Sequence, residues 1–320
     1  MKIKFWILVV SIALSTNALC QGSIFPNSPI KIIVPFPPGA GADISARYFG
    51  RQLGLVLGQP IIVENRPGAL GAIAVNAVKS APADGCTIFL GSNSPMTVNP
   101  VMVKNLSYDP LKDLKPISGL ARNTNVVIVA GNSPLRTLAE LIATTKSSKQ
   151  TVSMGVAAAG YQIVLEWFAS VASVKFNVIP YKGGTPVYND VAGGILNGAI
   201  AELAGTSQLI KAGKLRALAT FGEFRHPDFP DVPTVKESGY PSLVSYSWNA
   251  FYVRSETPDE VTAKLAEAMK KVLATDGAKK FVAQSGTELM PLGPAAMRSF
   301  QEDEYRRFLN IADIAGIKAQ

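Results

Sequence analysis

The chain has one histidine, His226, and two cysteines, Cys20 and Cys86, in 320 residues. One histidine leaves no partner for a zinc site, and two cysteines cannot form a cysteine-rich cluster or a disulfide framework. No G-x-S-x-G elbow, P-loop or H-E-x-x-H occurs, so the sequence offers no hydrolase, nucleotide or zinc-protease signature. Charged residues are sparse, at 17%. Basic residues outnumber acidic ones, 31 to 23, but they are scattered with no run of five. Nucleic-acid binding is therefore unsupported. The diffuse positive charge suits a small anion and equally serves solubility. Tandem repeats, low-complexity tracts and heptad runs are missing. Beyond the first twenty residues, no apolar stretch reaches membrane-spanning length.

Residues 1–20 read as a cleaved signal peptide. Lys2 and Lys4 form a basic start, Phe5 to Leu14 an apolar stretch too short for a comfortable span, and Ala18 and Cys20 the small residues before Gln21. Leu19 stands where a lipidated cysteine would be preceded by a small residue, so Cys20 is taken as the end of the leader. Losing Lys2 and Lys4 lowers the formal charge from +8 to +6. Cys86 is then the only cysteine. It begins CTIFLG, where a packed thiol is expected rather than a nucleophile. About 300 residues can bury a large core and split into two lobes.

The most informative stretch is KIIVPFPPGAGAD, Lys31 to Asp43. An apolar run meets three prolines, then the small residues Gly39, Ala40, Gly41 and Ala42, then a helical pattern from Ile44. Helix N-termini carry free N–H groups and positive dipole ends, and glycine lets a ligand approach them. That makes an anion seat. An ordinary turn with Asp43 as N-cap uses the same residues.

Strand and helix patterns alternate along the chain, which predicts an α/β fold with largely parallel sheets. Strands are expected at 30–34, 60–64, 87–90, 114–120, 125–129, 152–156, 178–181, 199–203, 215–220 and 248–253. Helices are expected at 44–56, 71–80, 135–147 with Thr137 as N-cap, the segment through Ile163, Trp167 and Val171, 188–196, 258–274 and 294–314. After the strand at 152–156, Ala157, Ala158, Ala159 and Gly160 repeat the opening arrangement of strand, small-residue loop and helix start. Two such loops facing each other across a hinge would make a closing cleft.

Seven segments in order resemble the periplasmic receptors of tripartite tricarboxylate transporters, the Bug-type family. They are KIIVPFPPGAGAD, PIIVENRPGALG, APADGCTIFLGS, LSYDPLKDLK, PYKGGTP, IKAGKLRALA and DVPTVKESG. The resemblance runs from about Pro29 to Ile317. It implies a two-lobe periplasmic-binding-protein fold of type II, each lobe a mostly parallel sheet flanked by helices, with the ligand cleft between them. Residues 24–124 with 246–320 would form the first lobe and 125–245 the second. It also implies capture of a small carboxylate, a periplasmic location, transporter subunits as the membrane partner, a monomer, and no metal, cofactor or catalysis.

Carried onto this chain, the first-lobe site is Phe36, Gly39, Ala40, Gly41, Ala42 and Asp43, with Ser92 and Asn93 after the Cys86 strand. Ala42 replaces the usual hydroxyl residue, leaving backbone N–H groups to act. Asp43 is expected to brace the loop, and Asn93 is either a ligand contact or a turn residue bonding its own backbone. The second-lobe site is Ala158, Gly160, Tyr161, Gln162, Lys182, Gly183, Ala201 and Glu202. Ala201 and Glu202 stand where the family often has Asp-Asn. An unpaired acid in an anion cleft is costly, so Glu202 either reaches solvent, binds an amino group on the ligand or pairs with a base such as Lys182, with solvent or structural pairing the default expectation. A sensor that docks on a two-component receptor is the alternative function. An enzyme would have to rely on His226, which lies in FRHPDFP and reads as a surface-loop residue.

Overall fold

The computed structural model describes residues 25–147 and 151–319. The signal peptide expected at 1–20 lies outside them. Strand β1 (Ile30–Val34) is buried along nearly its whole length and pairs in parallel with β2 (Ile61–Asn65) and β3 (Thr87–Ser92). A strand covered on both faces needs an almost unbroken apolar run, and IKIIV supplies one. Between β1 and β2 runs α1 (Gly41–Leu57), which buries Ala46, Phe49 and Leu53. It begins three residues before the expected Ile44, because Gly41 and Ala42 enter its first turn. It stops at Gly58, whose left-handed φ of 67° lets its N–H reach the Gly54 carbonyl. Helix α2 (Ala72–Lys79) leads into β3. A π turn (Ser94–Val98) then runs into the single turn of α3 (Asn99–Met102).

Strand β4 (Leu114–Ala130) is one continuous strand of 17 residues where two were expected. Pro116 and Gly119 read as a break in sequence. The strand absorbs them at two register shifts against its neighbour, between Pro116 and Ser118 and between Gly119 and Ala121. Beyond it come α4 (Leu138–Ser147), β5 (Ser153–Val156), α5 (Ala159–Ala172), β6 (Asn177–Pro180), α6 (Gly184–Ala192), β7 (Gly198–Glu202), α7 (Leu203–Lys211) and β8 (Leu215–Thr220). The chain returns on β9 (Tyr246–Arg254) and closes with α8 (Asp259–Ala274), α9 (Asp276–Ser285), β10 (Glu288–Leu289) and α10 (Pro294–Ala315). Helix α6 starts four residues before the expected Tyr188, and α7 and α9 were not expected.

The strand order is β2-β1-β3-β9-β4-β7-β5-β6, with β8 and β10 also on β4. Parallel pairing, as the alternation predicts, occupies the two wings β2-β1-β3 and β7-β5-β6. The two long crossing strands β4 and β9 are antiparallel to each other and to the wings they border. Strand β4 pairs with β9 over Leu114 to Thr124 and with β7 and β8 over Asn125 to Ala130.

Each wing has its own core. Phe49, Leu53, Leu265 and Met269 sit among the first, and Ile163, Phe168, Phe221 and Leu243 among the second. Helix α10 joins them. Met297 packs with Trp248 and Tyr252 of the first wing, whereas Phe308 and Ile311 are buried in the second-wing core. The far end of a segment assigned by sequence to the first lobe therefore packs in the second. Cys86 sits half-buried just before β3, hydrogen-bonded to Ser28 at 3.3 Å, and burial pushes its thiol up.

Candidate functional site

The first loop is held by Asp43. Its carboxylate accepts from the Gly39 N–H at 2.9 Å, from Asn65 Nδ2 at 2.8 Å and from Arg47 Nε at 3.0 Å. Burial alone would push this carboxyl up, but Arg47, the Gly39 amide and Asn65 outweigh it and hold it below the usual range. Asp43 is thus the brace of the loop and is not the N-cap. That position falls to Ala40, which has no side-chain bond to offer. Gly39 takes a left-handed φ of 83°, which turns the chain into α1.

Four helices, α1, α5, α6 and α7, start from Ala40, Ala158, Gly183 and Glu202, and none has a side-chain N-cap bond. Two helices elsewhere do carry such caps. On α4, Thr137 Oγ1 accepts from the Glu140 N–H while Glu140 accepts from the Thr137 N–H, a capping box. On α9, Thr275 caps Ala278. Helices α2, α3, α8 and α10 also lack a side-chain N-cap bond, so what sets the starts of α1, α5, α6 and α7 apart is their place between the wings rather than the missing cap.

The wings touch there. The Gly160 N–H, in the first turn of α5, donates to Ser94 Oγ at 3.0 Å. A Cβ on Gly160 would lie 2.6 Å from Asn93 Nδ2, so glycine is what lets these elements meet. A Cβ on Gly183 would approach Pro37 to 3.8 Å, and one on Gly41 would stand 2.8 Å from Glu202 Oε2.

Across the crossing strands, directly paired residues share a sheet face. Ser92 pairs with Asn249, Ser247 with Asn123, and Asn125 with Glu202. The result is a polar row crossing β3, β9, β4 and β7 on one face. Ser92, Asn93, Asn123, Asn125, Ser247 and Asn249 are all buried. Asn125 Nδ2 donates to Ser245. Ser92 Oγ, Asn93 Nδ2, Asn123 Oδ1 and Asn125 Oδ1 have no partner among the described residues. Buried polar atoms normally are paired, and each unpaired one costs roughly 1–3 kcal/mol.

At the second-lobe end of this row stands Glu202. Tyr161 Oη donates to its Oε1 at 2.5 Å, and Ser247 Oγ lies 3.4 Å away. Burial pushes the Glu202 carboxyl up, and these two hydroxyls only partly oppose it. Burial, with the charge of Glu202 beside it, likewise pushes the Tyr161 phenol up. Lys182 does not pair with Glu202 as the sequence suggested: Lys182 is exposed, and the half-buried acid is held between Tyr161 and Ser247.

The other expected site residues fall in different places. Phe36 is half-buried against the first core, and its carbonyl accepts from Asn65. Ala42 and Ala201 turn their side chains into the cores and offer backbone alone. Gln162 donates to Glu166 on its own helix at 2.8 Å. Asn93 is no self-bonded turn residue: its backbone is helical, its side chain accepts no backbone N–H among the described residues, and its Nδ2 is buried and unpaired. His226 is buried rather than on the surface. Its Nδ1 accepts from the Asp228 N–H at 3.2 Å, and its ring lies 6.0 Å from that of Phe229. Sequence reasoning missed Ser94, Asn123, Asn125, Ser247 and Asn249. Ser247 and Asn249 were signalled as alternate polar positions in SYSWNAF, whereas Asn123 and Asn125 sit in the wholly polar NTN and Ser94 lies outside any strand, so these gave no such signal.

Unpaired buried polar groups and open helix starts between two wings are suited to holding a small polar molecule. The class this defines is the two-lobe solute-binding protein. Comparison with known proteins agrees and goes further. The sequence profile of the Tripartite tricarboxylate transporter family receptor matches residues 46–316, and the chain belongs to that family. It is 32% identical to Protein BugT of Bordetella pertussis over 316 residues, 97% of each chain. Among solved structures it is similar to Rpa4515 of R. palustris with adipate, at 29% identity and a TM-score of 0.89, covering 92% of this chain and all of that one. The periplasmic binding protein BugD gives 27% identity and a TM-score of 0.86, with the same coverage. The chain is thus a solute-binding receptor of two-lobe fold and not an enzyme.

Proposed function

We propose that the protein captures a small carboxylate between its lobes in the periplasm and delivers it to the membrane subunits of a tripartite tricarboxylate-type transporter. The observation that carries this is the pair Ser92 Oγ and Asn93 Nδ2, buried and unpartnered beside the uncapped start of α5. A carboxylate would fill those donors and the N–H groups of the helix starts together. The adipate in the related R. palustris structure supports the same ligand class. In this reading residues 24–124 with 246–320 form one lobe, 125–245 the other, and β4 and β9 the crossing. The backbone of Gly39, Ala40, Gly41, Ala42, Ala158, Gly160 and Gly183 supplies donors, and Tyr161 and Glu202 close the far end. Closure excludes water and strengthens every polar contact inside. Residues 1–20 direct export, and the mature receptor works as a monomer.

The test is a thermal-shift screen of residues 21–320, unfolded, dialysed and refolded to remove any bound molecule. A ligand at ~100 times its Kd stabilises the native state by ~2.7 kcal/mol. A shift with an organic acid supports the proposal, and no shift across a broad set of carboxylates refutes it. Pull-down from membranes with and without that acid distinguishes a transporter from a two-component sensor as partner.

A further inference from the structure

We infer that the preferred ligand is an amino carboxylate, with its ammonium held by Glu202 and its carboxylate at the Ser92–Asn93 end of the cleft. This rests on the carboxylate-receptor reading and narrows it.

The two ends of the polar row ask for opposite chemistry. At one end, Ser92 Oγ and Asn93 Nδ2 are buried without partners, and the first turn of α5 brings N–H groups beside them. That end lacks an acceptor. At the other end stands Glu202, which in its ionised form can only accept. Among the described residues no lysine, arginine or histidine lies within ion-pair distance of it, and Lys182 is turned to solvent. The titratable groups that face it are Tyr161 and Tyr188, both of which burial keeps protonated. Only hydroxyls reach Oε1, and no described residue donates to Oε2, which lies against Gly41 of the opposite lobe. An acid placed where the lobes meet, with no cation among the described residues to balance it, is open to a cation brought by the ligand. A dicarboxylate would satisfy the Ser92–Asn93 end and set a like charge against Glu202. An amino carboxylate satisfies both ends.

Titration calorimetry on refolded, ligand-free protein tests this with pairs of equal length: γ-aminobutanoate against succinate, δ-aminopentanoate against glutarate, ε-aminohexanoate against adipate. The α-amino acids and plain monocarboxylates complete the set. The expected result is that an amino carboxylate binds at least about 30-fold more tightly than its dicarboxylate counterpart, the scale of an unpaired buried charge. Glu202→Gln keeps the shape and removes the charge. It should fold with an unchanged or higher Tm, lose about 30-fold in affinity for the amino ligand and reverse the preference. Tyr161→Phe keeps the charge, and should weaken binding only several-fold with the preference intact. Tighter binding of dicarboxylates by the wild type overturns the inference, as does an unchanged preference in Glu202→Gln. Plain monocarboxylates binding as tightly as amino ones also overturns it while leaving the receptor reading standing. If no carboxylate of any kind binds, both fall.

Discussion

Gly160→Ala separates binding from folding in a single residue. Gly160 lies in the first turn of α5 with ordinary helical backbone, so alanine is locally favourable there. The gain in helix propensity is roughly 0.5–1 kcal/mol. The three nearest atoms to the new methyl, outside the helix's own backbone, are Asn93 Nδ2, Ser94 Oγ and Asn93 Cγ, all from the first lobe, so the closest opposition comes from across the cleft and no second-lobe side chain comes nearer than 3.2 Å. The nearest, at 2.6 Å, is about 0.8 Å short of the 3.4 Å at which ordinary contact begins. The lobes must part, or the Asn93 amide must swing away from the site. Either way the Gly160 N–H to Ser94 Oγ bond, worth roughly 1 kcal/mol, is strained or lost. Asn93 also leaves the position from which it would donate to a ligand, at a further cost of about 1–2 kcal/mol in binding. The expected variant therefore melts within a degree or two of the wild type, or slightly higher, yet binds its ligand roughly 10- to 100-fold more weakly. Calorimetric titration and thermal melting of the same preparations read both quantities, and small-angle scattering reads closure. Undiminished affinity with full closure would refute the claim that the lobes meet at this glycine. A large fall in Tm would refute the claim that the second lobe has room for the methyl.

Three further outcomes follow from the same contacts. Asn93→Ala removes a buried, unpartnered amide, so the ligand-free protein should be as stable or more stable by up to about 1–2 kcal/mol, while affinity falls about 10-fold or more; denaturant titration and calorimetry check the opposite signs. Asp43 has a depressed pKa in the folded state, so its stabilisation is present above the unfolded value of about 3.9 and is lost as pH falls through the folded value. Asp43→Asn should then cost about 1–3 kcal/mol at pH 7 and show a flatter acid limb than the wild type below about pH 4, measured by urea unfolding across that range. Thr137→Ala breaks the capping box of α4 far from the cleft, and should cost about 1 kcal/mol of stability with no change in ligand affinity.

What the sequence could and could not disclose follows from the range of each interaction. The β1–α1 junction is local: apolar run, prolines, glycines and acid lie within thirteen residues, and the structure uses them as strand, turn and helix start with Asp43 as brace. Thr137 as a cap was equally readable, because its partner Glu140 is three residues away. The failures are long-range. Pro116 and Gly119 read as a break because a strand cannot by itself announce a bulged neighbour that tolerates them, and that neighbour, β9, is more than a hundred residues on. Gly184 was passed over as a helix start, although the following helix, α6, sets the Tyr188 hydroxyl against both Gly184 and Gly205. Glu202 was expected in solvent or paired with a base such as Lys182, by a sound rule about buried acids. The exception depends on Tyr161, Ser247 and Gly41, which lie 41, 45 and 161 positions away in the chain. The same distance argument explains why the polar row escaped notice: each asparagine or serine alone is an unremarkable strand residue, and only the registers Ser92–Asn249, Asn123–Ser247 and Asn125–Glu202 turn six scattered polar residues into one line. A strand that places polar side chains on its buried face sacrifices stability wherever they go unpaired, and along this line the proposed ligand is what would supply the missing partners.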